Sequence, residues 1–532
     1  MDAPRSRTVG ALLAEMADRF PEREAVVDAR RRLTYRAFRD ESLQVARGLY
    51  SLGVRPGDHV AILMGNVAEW LVTGFAVASL GATLVSVNTW ATRRELAYLL
   101  DHSETVALVF SERFINTDYV AMLAALRKAG EWPDRLRAAI CLGGGTCPEW
   151  ATPYAELPAR ADSVPEAPIV EIEATVAPSA TACLLYTSGS TSRPKGVPLT
   201  HAGLIENMWS IGERQHLTEQ DRLWLAVSLF WALGCNNALF ALMTHGGCIV
   251  LQEHFDASEA LRLLEVERCT VFYGTPNMTL ALWEHPDRAH RDLSSLRTGV
   301  TIGKPDQIRM AMDLGAREIC NVYGMTETYA NSAVTDASLP AAKRVECVGP
   351  PLPGTRIRIV DPDSERLCPP GSTGEIRVRG YVMPGYYKDP EKTAEAIDTH
   401  GFFRTGDLGF LDEDGCLYFR GRLKEMVKTG GINVSPAEVE DVLSDIDGVA
   451  QAYVVGLPDP ERDEIVAAVL VLEEGWTRID LEHVRRFCRE RMAAYKVPRR
   501  FRIALDSELP LTSTRKLKKL ELPALFEGGP VG

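Results

Sequence analysis

Ala182-Cys183-Leu184-Leu185-Tyr186-Thr187-Ser188-Gly189-Ser190-Thr191-Ser192-Arg193-Pro194-Lys195-Gly196-Val197 joins two kinds of sequence. Its first four residues are the apolar run of a buried strand. The loop after them is built from glycine, small hydroxyl residues and Lys195. Backbone N–H and side-chain O–H groups in such a loop can converge on one anion while a lysine offsets its charge, which makes a phosphate grip. The Walker pattern is absent, because no Ser or Thr follows Lys195 and the glycine spacing differs. Taken alone, the segment is equally a polar surface loop.

On either side, short apolar runs (HVAILM at 59–64, CIVLQ at 248–252, TVFYG at 270–274) alternate with helical patterns such as EALRLLEVER at 259–268. That is the layout of strands crossed over by helices, so the expected class is α/β, with layered subdomains. From about Gly349 the texture changes to short strands broken by Pro, Gly and Asp, which predicts a mostly antiparallel β section over about 349–423. Beyond it, strands at 449–457 and 465–473 alternate with helices at 436–446 and 481–495, enough for a small α+β module. The expected division is a large domain over 1–423 and a small mobile one over 424–532, with the boundary near 422–425.

Composition sets the outer limits. A chain of 532 residues exceeds what one core usually supports. With 46% hydrophobic and 25% charged residues it is an ordinary globular sequence. A net charge of -13 opposes general nucleic-acid binding, though a single nucleotide needs only a few placed groups. The 11 cysteines show no zinc-like spacing and read as reduced, buried thiols. The first twenty residues lack the apolar run of a secretory signal, and the stretch 71–87 is short and interrupted for a membrane span. A cytoplasmic protein without stable membrane insertion is expected.

The loop is one of five motifs. Asn321-Val322-Tyr323-Gly324-Met325-Thr326-Glu327-Thr328, Gly374-Glu375-Ile376-Arg377-Val378-Arg379-Gly380, Phe403-Arg404-Thr405-Gly406-Asp407-Leu408, and the run from Gly421-Arg422-Leu423-Lys424 through Gly430-Gly431 to Val434 follow in order. Together they make the chain resemble, over nearly its whole length, the superfamily of acyl-CoA synthetases, peptide-synthetase adenylation domains and firefly-type luciferases. The resemblance implies that ATP and a carboxylic acid form an acyl-adenylate, which a thiol such as coenzyme A then captures. Negative charge grows on the α-phosphate as the carboxylate attacks, so the site needs a cation, placed donors and a metal. It implies Thr187, Ser188, Gly189, Ser190, Thr191 and Lys195 on the phosphates, Thr326 as a donor to the α-phosphate, and Glu327 as the Mg²⁺ ligand. It also implies Asp407 and Arg422 on the ribose, and Tyr323 and Asn321 on the face and edge of adenine.

Leu509-Pro510-Leu511-Thr512-Ser513-Thr514-Arg515-Lys516 is similar to the family's C-terminal stretch whose lysine bridges the acid and the α-phosphate, which singles out Lys516 over Lys518 and Lys519. Lys424 falls at the hinge about which the family's small domain turns between half-reactions. Gly430 and Gly431 would then leave room for a pantetheine arm, or simply make a turn. The chain departs from the family at Ser192 and Arg515, where glycine is usual, and at Thr301-Ile302-Gly303-Lys304-Pro305.

For the acid pocket the expected lining is Trp231, Tyr273, Gly274, Met278, Gly303 and Gly324. Amino-acid-activating relatives carry an Asp where Trp231 stands, so an α-amino acid is disfavoured. Acetate-using relatives carry a Trp where Gly324 stands, which predicts a deeper pocket for a medium-sized or bulky apolar acid. The alternatives are a ligase that loads an acyl carrier protein, a luciferase-like use of the adenylate, and a catalytically dead adenylate-binding relative. A homodimer is compatible with the sequence. A nucleic-acid ligase is not, because its Lys-x-Asp-Gly motif is missing.

Overall fold

The computed structural model describes residues 2–145, 147–187, 193–303, 305–362, 364–423, 427–434, 436–510, 517 and 519–527, with backbone alone at 421, 422, 433, 437, 506 and 520. The chain divides into two compact units: 1–89 with 99–185 and 196–421, and 90–98 with 186–195 and 422–532.

The first unit holds three sheets. One has eight strands in the order Ala333–Val334, Cys320–Tyr323, Thr298–Thr301, Val271–Gly274, Arg222–Leu225, Cys248–Leu251, Glu24–Val27 and Arg32–Thr34. Its inner strands are parallel and the outermost strand at each end is antiparallel. The second has seven, in the order Lys195–Thr200, Thr181–Thr187, Thr83–Ser86, His59–Leu63, Thr105–Ser111, Ala138–Leu142 and Thr152–Pro153. The strands from Thr181–Thr187 to Thr152–Pro153 pair in parallel, and the central ones are buried along nearly their whole length, as a parallel sheet requires. Helix Ala68–Ser79 is buried along its entire length, which accounts for its lack of a polar face. Among the described residues no helix is long and apolar enough to cross a membrane.

The third sheet is the β section: Arg356–Val360, Gly374–Arg379, Phe403–Leu411 and Leu417–Arg422, antiparallel across the first three strands. Here the Gly-Glu-x-Arg motif has a structural purpose. Arg377 is buried, and its Nε meets Glu375 at 2.7 Å while both terminal nitrogens meet Glu365 at 2.7 Å. A buried guanidinium is tolerable only with its donors paired in this way.

The second unit packs helices Pro436–Ser444 and Leu481–Arg491 on a five-stranded sheet whose longest strands are Val449–Asp459 and Asp463–Leu472. Val439, Leu443, Val484 and Cys488 supply the helices' apolar stripes, spaced four residues apart within each helix.

Candidate active site

Four neighbouring parallel strands of the eight-stranded sheet end along one edge. Leu225 is level with Tyr273, Gly274 with Thr301, and Thr301 with Asn321. The carboxyl edge of an open parallel sheet is where ligands bind, since the loops diverge there and leave backbone groups unpaired. Trp231, Ile302, Gly303 and Gly324 to Glu327 all follow strands that end at this edge.

At its outer end the strand Cys320–Tyr323 delivers Tyr323, whose phenol donates to Asp407 Oδ2 at 2.9 Å. Asp407 is 3% exposed. It sits just after Gly406, whose φ of +69° turns the strand, and its N–H donates to Thr405 Oγ1 at 3.0 Å. Two residues expected to meet the nucleoside separately, one at the base and one at the sugar, are therefore bonded to each other. Phe419 is 43% exposed, and its ring lies 6.0 Å from that of Tyr323, tilted by 30°. No sequence signal singles it out, since one aromatic in an alternating strand looks like packing. Asn321 is buried and its amide nitrogen donates to Cys347 O at 2.9 Å, so the donor half of this side chain serves the fold and not an adenine edge.

Thr326–Thr328 form one 3-10 turn that presents Glu327. Glu327 is held twice from a distant segment: its carbonyl accepts from Met383 N at 2.8 Å, and its Oε1 accepts from Tyr386 OH at 3.0 Å. The turn closes through Tyr329 and Ala330, with φ of 56° and 70°. Tyr329 OH accepts from Thr200 N at 3.0 Å and bonds Thr200 Oγ1 at 2.9 Å, which ties the turn to the cap of helix His201–Arg214. Among the described residues no three His, Cys, Asp or Glu side chains are grouped for a metal. A lone half-buried carboxylate suits Mg²⁺, which takes one or two carboxylates and completes its shell with phosphate oxygens and water.

Three of the residues expected to line the acid pocket have structural roles of their own. Tyr273 is 0% exposed; its OH donates to Asn237 Oδ1 at 2.9 Å and accepts from Gln215 Nε2 at 2.8 Å, so it is a core tyrosine with a satisfied hydroxyl. Gly274 is buried too, and a Cβ there would stand 2.4 Å from the Phe272 ring. At Gly324 a Cβ would point at backbone, 2.3 Å from Ala330 O and 2.5 Å from Asn331 Cα. Close chain approach, not pocket depth, is what this glycine permits. Gly303, half-buried with φ of +144°, could not carry a side chain without strain. Trp231 precedes a π-helix, Ala232–Ala238, a rare element that clusters at functional sites. Trp231, Leu233, Met278, Ile302 and Met325 are all partly buried and rest on the same core.

In the second unit Gly430 and Gly431, with φ of 60° and 79°, form the two-residue loop between Val427–Thr429 and Ile432–Val434. A tight hairpin with positive φ at both loop positions calls for glycine on turn chemistry alone. Lys519 Nζ is paired with Glu440 at 2.5 Å, so it is committed within its unit. Thr187 ends the strand Thr181–Thr187 and Lys195 begins Lys195–Thr200. Ser188, Gly189, Ser190, Thr191, Ser192, Lys424, Arg515, Lys516 and Lys518 lie outside the described residues, as does the side chain of Arg422.

Residues 13–387 match the AMP-binding enzyme family and residues 438–516 match the AMP-binding enzyme C-terminal domain, and the chain belongs to that family. Its reaction class is that of the AMP-forming acid–thiol ligases. It is 34% identical to a (7a-methyl-1,5-dioxo-octahydro-1H-inden-4-yl)propanoyl:CoA ligase of Rhodococcus jostii, over 96% of this chain and 97% of that one. It is 35% identical to a feruloyl-CoA synthase of Amycolatopsis sp., over 98% and 100%. Among solved structures it resembles the amide bond synthetase of Marinactinospora thermotolerans, with a TM-score of 0.83 and 29% identity over 98% and 99% of the two chains.

Proposed function

We propose that this ligase activates a medium-sized or bulky apolar carboxylic acid with ATP and passes the acyl group to coenzyme A in the cytoplasm. The carrying observation is the set Trp231, Leu233, Met278, Ile302 and Met325: apolar, partly buried, on one core, and borne by the loops and helices that follow the strands of the edge that also presents Tyr323 and Glu327. An apolar wall favours an acid whose only charge is the reacting carboxylate, because a second charge would lose hydration there without a partner. The two relatives named above, one named for a bicyclic diketone acid and one for an aromatic acid, support a bulky substrate.

In this scheme Asp407 and Tyr323 hold the nucleoside, Thr187 to Thr191 and Lys195 hold the phosphates, and Thr326 donates to the α-phosphate. Bound Mg²⁺ would neutralise phosphate charge, with Glu327 as its protein ligand. Lys516 bridges the carboxylate and the α-phosphate during adenylation. Turning about Lys424 then exchanges Lys516 for the Gly430-Gly431 loop.

The test is AMP and pyrophosphate release with and without coenzyme A, across acids from acetate through medium chains to aromatic and bicyclic carboxylates. Acid-dependent AMP with matching acyl-CoA is expected, strongest for the bulky apolar acids. A preference for acetate or amino acids would sink the pocket assignment. Adenylate formed without thioester would move the acceptor to a carrier-bound thiol or an amine.

A further inference from the structure

We propose that Tyr386 is a positioning residue for Glu327, and that residues 383–387 act as a strap coupling the metal carboxylate to the strand that leaves the phosphate loop. This rests on the assignment of Glu327 as the metal ligand. Glu327 sits on a single 3-10 turn and has three side-chain torsions, so its backbone alone does not fix where its oxygens point. The strap supplies what the turn lacks. Met383 N donates to Glu327 O at 2.8 Å and holds the main chain, while Tyr386 OH donates to Oε1 at 3.0 Å and holds that carboxylate oxygen.

The strap is itself anchored. Tyr386 N donates to Thr393 Oγ1 at 2.9 Å, and Thr393 lies on helix Pro390–Ala396, whose first turn is capped by Asp389 Oδ1 accepting from Lys392 N at 3.0 Å. Gly385 fits beneath Thr393, where a Cβ would come within 2.8 Å of Thr393 Cγ2. Next along the chain, Tyr387 N donates to Gly196 O at 2.8 Å, and Gly196 directly follows Lys195. One short segment therefore braces the carboxylate meant for the cation and the exit of the loop meant for the phosphates that share that cation. Partners behind a metal ligand orient it, and their loss commonly weakens metal binding by about 10- to 100-fold.

The decisive measurement is Mn²⁺ affinity, read as free Mn²⁺ by electron paramagnetic resonance in the presence of a non-hydrolysable ATP analogue. Wild type, Tyr386→Phe, Thr393→Val and Glu327→Gln would be compared. Tyr386→Phe should weaken Mn²⁺ binding by about 10-fold, leave metal-free binding of the analogue unchanged, and lose turnover mainly by raising the Mg²⁺ needed for half activity. Thr393→Val should move the same affinity by a smaller factor, and it decides the matter if the Phe variant melts below the assay temperature. Weak binding in Glu327→Gln with wild-type affinity in both strap variants would overturn the positioning role alone. Wild-type affinity in Glu327→Gln would overturn the metal assignment and the strap with it.

Discussion

Tyr323 OH and Asp407 Oδ2 stand 2.9 Å apart, and this bond joins the end of a strand of the eight-stranded sheet to a strand of the β section. A hydrogen bond to a charged group contributes about 1.5–3 kcal/mol, and here it orients the carboxylate proposed to hold the ribose. Tyr323→Phe keeps the ring and removes the bond. It should raise the KM for ATP by about 10-fold with a smaller change in kcat, measured by steady-state pyrophosphate release. An unchanged KM would show that Asp407 is oriented without the phenol.

Helix His201–Arg214 constrains the Glu327 turn from behind. A Cβ at Gly203 would lie 2.3 Å from Tyr329 Cε1, so Gly203→Ala must push out the ring whose hydroxyl bonds Thr200. Overpacking of this kind costs about 1–3 kcal/mol. Calorimetry should show a lower Tm, together with reduced adenylation, because the displaced ring belongs to the residue that closes the turn. Loss of stability with full activity would show that the turn is held by the strap alone.

In the second unit Lys496, 4% exposed, pairs with Glu438 at 2.5 Å and Glu95 at 2.9 Å. Burial pushes the Glu438 carboxyl up against the pull of Lys496. Lys496→Met strands a buried carboxylate, a loss of about 3–5 kcal/mol. Urea titration at pH 7.5 should show that loss, and the deficit should narrow at lower pH as Glu438 takes a proton. Lys496→Met combined with Glu438→Gln should recover much of it.

His201 is fully buried and its Nδ1 accepts from Val9 N at 3.2 Å, so charging it would break that bond in an apolar surround. Burial lowers its pKa from 6.5 to about 4. Between those values the unfolded chain binds the extra proton, so the contribution is complete above pH 6.5 and is lost as pH falls toward 4. Burial also lowers the pKa of His245, which adds to the same slope. Thermal melts from pH 7.5 to 5 should show falling Tm, with a shallower slope in His201→Gln. An equal slope would assign the effect elsewhere.

Lys516→Ala should cut adenylation by about 100-fold or more, the scale of losing one charge stabiliser of a transition state. Thioester formation from supplied acyl-adenylate should survive. Gly431→Trp should reverse the pattern, and equal loss of both half-reactions in either variant would remove the division of labour between Lys516 and the glycine loop.

Candidate chemistry could be proposed from the sequence wherever it lay on contiguous residues. Thr326-Glu327 fall on one 3-10 turn and Thr405-Gly406-Asp407 on one strand, so each group stands out as a run of sequence neighbours. The strap was not, because 59 residues separate Tyr386 from Glu327 and no local pattern marks a tyrosine as a brace. The alternation of strands and helices announced the layered α/β class, yet side-chain direction stayed hidden. Tyr273 has the sequence of a pocket wall and the hydrogen bonds of a core residue. Gly324 is small because the chain at Ala330 and Asn331 needs the space. Gly430 and Gly431 satisfy a hairpin before any ligand enters the account.

Nine of the eleven thiols are buried, and only Cys147 and Cys368 are partly exposed. Burial raises the pKa of Cys141, Cys248 and Cys320 to about 12 and that of Cys488 to about 11, which denies them the thiolate that alkylating reagents attack. The native enzyme is thereby close to a cysteine-light background. Replacing two residues would open it to maleimide dye pairs, one on each compact unit, for watching in real time whether the units turn against each other between the half-reactions.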